Sequence, residues 1–138
     1  MKLSPRDALV WIKRPDPDGA GCLIYGEDGV RVAQMRARCL DALLGPAAEA
    51  EMRLTRLSAA DLRGDSAALL DAVKAVGFFS GPRAVFVEGA TDGLAPVFRA
   101  ALEDWRPGDA QIVATAGVLA KRSALRKLFE ESRQARAI

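Results

Sequence analysis

The sequence has no histidine and only two cysteines, and its 20 basic residues exceed its 18 acidic ones by just 2. Each shortage closes off chemistry. Without imidazole there is no Ser-His or Cys-His dyad and none of the common zinc-hydrolase sites. Cys22 and Cys39 are too few for a disulfide framework or a structural zinc site of four ligands, and read as small apolar core residues. A surplus of 2 positive charges is too weak for a strongly basic grip on nucleic acid. The opening MKLSPRDALVWIKR places charge within every apolar stretch, so neither a signal peptide nor a membrane span is expected. A reducing cytoplasm is the expected compartment. No repeat or low-complexity segment occurs. What remains is one domain of 138 residues, half of them apolar, enough to bury roughly two-thirds of its unfolded surface.

Apolar runs alternate with helical patterns along the chain. Ser4, Pro5 and Asp7 make a helix start, with a hydroxyl cap, proline at the first helical position and an acid closing a capping box. That helix is predicted to reach about Lys13 and to be followed by the turn-rich RPDPDGAG. Cys22–Tyr25 reads as a buried strand. The next helix carries apolar residues at Val32, Met35, Cys39, Ala42 and Leu43 and stops at Gly45-Pro46. Residues 52–57 suit a half-exposed edge strand, and Asp65 or Ser66 is expected to cap a helix through Val76. AVFVE (84–88) and AQIVATA (110–116) are strands of the kind buried on both faces. Asp92 is expected to open a helix to Trp105, and Ser123 one to about Arg133. Trp11 and Trp105, at helix ends, are expected to be core lids. Ala137-Ile138 has the look of a fifth strand cut off at its opening. Strand-helix alternation predicts a three-layer α/β/α domain with a mostly parallel sheet of about five strands. Ligands of such sheets lie beyond the carboxyl ends of the strands, here residues 26–29, 88–92 and 115–117.

The first of these ends has the frame of a phosphate-binding loop without its working residues. The form GxxxxGK[ST] requires a lysine on the outer phosphates and a hydroxyl on Mg²⁺. Counting from Gly26, those positions and the second glycine hold Arg31, Val32 and Ala33. Gly26 and Gly29 serve the turn, while Glu27 and Asp28 would repel an anion at the helix start. No nucleotide hydrolysis, cofactor or metal is expected. Glu88 is a lone acid, a poor Mg²⁺ site, and reads as a solvated strand end. The Thr115 hydroxyl is expected to bond to nearby backbone. Lys121, Arg122, Arg126 and Lys127 form the densest positive patch, read as a solvated helix face diluted by Glu130 and Glu131, with a contact to DNA or a sister subunit left open.

Phe78 and Phe79 sit between Gly77 and Gly81-Pro82. Neighbours on a strand face opposite ways, so both rings cannot easily point inward; a turn leaves them exposed, and the alternative is that both fill the core.

Five pieces in order, LSPRDALVWIKR, LIYGEDGVRV, GFFSGPRAVFVEG, APVFRAALEDWRPGDAQIVATAG and KRSALRKLFEES, together resemble the amino-terminal domain of the delta subunit of the bacterial DNA polymerase III clamp loader. The resemblance implies an AAA+-like (P-loop NTPase) fold without ATPase activity, followed in the family by two further domains. It also implies binding to the ring-shaped sliding clamp (the beta subunit) and opening of that ring for loading onto primed DNA. Partners would be the other clamp-loader subunits and, through the assembly, DNA; the parent complex would be a DNA-directed DNA polymerase. In the family, paired large apolar residues at the end of the helix before the third strand enter the clamp. That place is residues 74–79 here: Phe78 and Phe79 match the pair, with Val76 and Gly77 beside them, Gly77 departing from the small polar residue often found just before it. A competing expectation is a response-regulator-like phosphoacceptor domain, with Glu27-Asp28 as its acidic pair and Thr115 as its hydroxyl. It lacks an acceptor aspartate at Glu88.

Overall fold

The computed structural model describes residues 1–75 and 81–138. It contains five parallel strands, β1 (Gly21–Tyr25), β2 (Leu54–Ser58), β3 (Ala84–Glu88), β4 (Gln111–Ala116) and β5 (Ala135–Ala137), in the spatial order β2-β3-β4-β1-β5. The helices are α1 (Pro5–Lys13), α2 (Gly29–Leu44), α3 (Ala59–Gly64), α4 (Ala68–Lys74), α5 (Ala95–Asp104, preceded by a 3₁₀ turn Asp92–Leu94) and α6 (Ala124–Glu131). This is the predicted α/β sheet. The order rules out the response-regulator alternative, whose sheet runs 2-1-3-4-5 with the first strand beside the third.

Alternation along the strands divides the interior into two layers. Cys22, Ile24, Phe86 and Val113 meet α1 and α2, through Ile12, Val32, Met35 and Leu40. Leu23, Val85, Val87, Ile112 and Ala114 meet the other helices, through Leu62, Leu69, Phe98, Leu125 and Phe129. β4 is buried along its whole length, as a central parallel strand must be. β2, at the edge, is half-exposed as expected. Trp105 is fully buried, its indole N–H donating to Ala110 O at 3.0 Å. Cys22 and Cys39 are buried with their Sγ atoms 3.9 Å apart, and that contact, with burial, pushes the Cys22 thiol well above its ordinary value.

Several boundaries differ from the sequence reading. Ser4 accepts from the Asp7 N–H at 3.1 Å as expected, but the full reciprocal capping box is formed in α3, between Ser58 and Asp61. That six-residue helix went unpredicted. Asp65 does not cap α4 directly; its carboxylate accepts from the Ala67 N–H. The buried stripe of α2 runs through Leu40 and Leu44, while Ala42 is exposed. Asp92 begins only the 3₁₀ turn, α6 ends two residues short of Arg133, and β5 begins at Ala135. None of the described helices is long and apolar enough to cross a membrane.

The β1–β4 seam tolerates no side chain at Gly21. Its φ is 128° and a Cβ there would lie 1.8 Å from Ile112 O. Gly21→Ala is expected to destabilise the domain by on the order of 3 kcal/mol or more, read as a shift in the denaturant midpoint. An unchanged midpoint would contradict the close approach.

Candidate functional site

Because β3, β4 and β1 are neighbours, the three strand ends singled out in the sequence converge. The Gly26 N–H donates to Gly117 O at 3.1 Å and the Ala90 N–H to Thr115 O at 2.8 Å. Gly26 has φ 150°, a conformation that favours glycine. Gly29 does not need to be glycine: it is the first residue of α2, and a methyl group there would meet nothing within 4 Å. Thr115 is buried and its carbonyl accepts from the Ala90 N–H; among the described residues its hydroxyl makes none of the backbone bonds expected for it. Glu88 is exposed, as predicted. The described residues include no cluster of three or more acids or thiols placed to hold a metal.

The helix start that would face a phosphate is closed by the chain itself. The Asp28 carboxylate accepts from the Val30 and Arg31 N–H groups, both at 3.1 Å. The first N–H groups of a helix are its unsatisfied donors and the positive end of its dipole; here an internal carboxylate occupies two of them. Val32, at the lysine position, points into the core with 6% of its surface exposed, whereas Arg31 and Ala33 are exposed. Glu27-Asp28 was expected to repel an anion, but the capping role of Asp28 was missed. An aspartate directly before a glycine and an apolar helix is the signal that could have found it.

Arg126 also differs from expectation. It is not part of a solvated patch: its guanidinium bonds Glu130 Oε1 and Leu119 O, each at 3.1 Å, and lies 5.2 Å from the centre of the Tyr25 ring. Burial raises the Tyr25 phenol above its ordinary value, against the pull of Arg126. Asp92 accepts from the Ser123 hydroxyl and from the Leu125 N–H, tying the exit of β3 to the start of α6. Lys121, Arg122 and Lys127 remain exposed.

The sites expected at Val76, Gly77, Phe78 and Phe79 lie outside the described residues. The residues flanking them are both tied to the turn between α5 and β4. Lys74 donates to Asp104 O and to the Asp109 carboxylate, and Arg83 donates to Ala75 O and Gly108 O.

These features define a class first: a three-layer α/β domain with a five-stranded parallel sheet, in which the helix start at the phosphate-loop position is capped by its own aspartate. No protein-family model matches the sequence, and no curated protein matches it either. Among solved structures, that of a DNA polymerase III gamma subunit-related protein from Thermotoga maritima MSB8 is similar, with a TM-score of 0.58 and 16% identity over 96% of this chain. The chain spans 44% of the length of that protein. At this identity the likeness is one of fold.

Two measurements probe this geometry. Asp28→Ala is expected to lower stability by about 1 kcal/mol, the usual worth of an N-cap, whereas a merely solvated acid would leave the denaturant midpoint unmoved. The second concerns pH. Although partial burial pushes the Asp109 carboxyl up, its bonds from Lys74 and the Arg106 N–H prevail and hold it below its ordinary value. The unfolded chain therefore binds the proton first as pH falls, so the contribution of Asp109 is complete above the ordinary carboxylate range and lost below it. The difference in melting temperature between wild type and Asp109→Asn should be present at neutral pH and vanish in acid. A difference independent of pH would count against the pairing.

Proposed function

We propose that this chain is a non-catalytic clamp-loader subunit domain, of the delta type, that binds the sliding clamp and helps open it for loading onto primed DNA. ATP binding and hydrolysis would then belong to companion subunits. The observation that carries this reading is the Asp28 carboxylate seated on the N-terminus of α2, where a nucleotide-driven module would receive phosphate. A triphosphate entering there would meet a fixed negative charge, and two of the helix donors are already engaged. Val32 in the core leaves no cation at the lysine position. The fold likeness to a DNA polymerase III gamma subunit-related protein supports the clamp-loader setting, and the ordered resemblance of the five sequence pieces supports the delta assignment.

The working part in this reading is the Phe78-Phe79 pair, with Val76 and Gly77 beside it. Each ring, if buried in a clamp pocket, is worth about 1.5–3 kcal/mol. Changing both to Ala should weaken retention of the chain on an immobilised sliding clamp by about a hundredfold or more, with a cooperative thermal melt preserved. A double variant that no longer melts cooperatively would place the rings in the core and end the site assignment. In parallel, titration with Mg-ATP should show no saturable heat. Saturable binding would overturn the emptied-loop reading whatever the clamp result.

A further inference from the structure

Between α5 and α6 lies an open groove of about 720 Å³. Its floor is apolar, formed by Leu102 and the half-buried Leu128, and its rim carries Arg99, Arg122, Lys127 and Arg133. Two acids, Glu103 and Glu131, also line it, so the groove has a charge of +4 − 2 = +2, equal to that of the whole chain. The ion pairs among the described residues use Lys2, Arg53, Arg56, Lys74 and Arg126. None uses the four rim cations, although Glu103 and Glu131 stand one helical turn from Arg99 and Lys127, a spacing at which pairing is available.

The geometry points to this groove as a docking site for an acidic amphipathic helical segment of a partner protein. A helix laid in a groove between two others presents apolar residues at i, i+3, i+4 and i+7 to the floor and its flanks to the rim. The floor supplies the apolar contact and the rim supplies charge of the opposite sign to the flanks. The length of α6, eight residues or about 12 Å, matches about two turns of such a segment. Arginine, with three of the four rim positions, is the cation favoured at protein interfaces because its planar fork pairs with carboxylates two bonds at a time. A nucleic-acid strand fits less well. The lining contains no aromatic side chain on which a base would stack, and the two carboxylates would face its phosphates.

The test is fluorescence anisotropy on the 138-residue chain at low salt. The probe is a labelled helical peptide of about twelve residues, with leucines at i, i+3, i+4 and i+7 and glutamates on its flanks. Saturable binding is expected, at least about tenfold tighter than for a peptide of the same composition with the leucines dispersed around the helix. Arg122→Glu combined with Lys127→Glu, both exposed positions, should weaken binding by about tenfold or more and leave the thermal melt unchanged. Leu128→Asp should weaken it similarly if it remains folded. The inference is overturned if the dispersed peptide binds equally well or if the charge reversals have no effect. It is equally overturned if a single-stranded oligonucleotide of matching charge binds more tightly than the peptide and loses its binding to the same reversals.

Discussion

Parallel pairing of β4 with both β3 and β1 is the constraint from which the rest of this domain follows. β4 is buried on both faces, so helices must cover the sheet above and below, and the connections must run out and back over it. The same pairing sets the ends of β1, β3 and β4 side by side. Gly21 makes it possible on one side by letting the backbone of β1 lie directly against Ile112. The two backbone bonds that follow the strands, Gly26 to Gly117 and Ala90 to Thr115, continue the sheet past its nominal end.

At those ends the domain resolves a local electrostatic problem from within. A helix of 16 residues begins beside a strand terminus and leaves donors that need an acceptor. Where phosphate would satisfy them in a nucleotide-binding protein, Asp28 does so covalently tethered and always present. A neighbouring region is also tied internally: Arg126 joins Tyr25, Leu119 and Glu130, and Asp92 joins Ser123 and Leu125. These polar groups are committed to one another. The rim cations of the α5–α6 groove lie on a helix-covered face, where no ion pair among the described residues draws on them to hold the fold together.

Much of the architecture could be read from residue patterns. The continuous apolar runs at 84–88 and 111–116 admit few readings other than central parallel strands, and Ser4-Pro5 announces its helix by chemistry that acts within four residues. The emptied loop was legible because it is a matter of residue type at a spacing: Arg31, Val32 and Ala33 cannot do what lysine and serine do. Less legible were features set by competition between nearby partners. Ser58 and Asp61 carry a capping signature, yet six residues have little periodicity to reveal a helix. Arg126 looked like its exposed neighbours because sequence spacing does not show that the Tyr25 ring is brought across to meet it.

Sequence by itself determined the fold class, the two-sided burial of the sheet and the loss of phosphate-binding side chains, since all three depend on residue identity and short-range periodicity. Tertiary structure alone decided the strand order, the convergence of three distant segments, the partners of Asp92 and Arg126, and the gathering of the α5–α6 cations around one groove. Those depend on which surfaces meet after the chain has crossed the sheet, and contacts between residues far apart along the chain leave no local periodicity in the sequence.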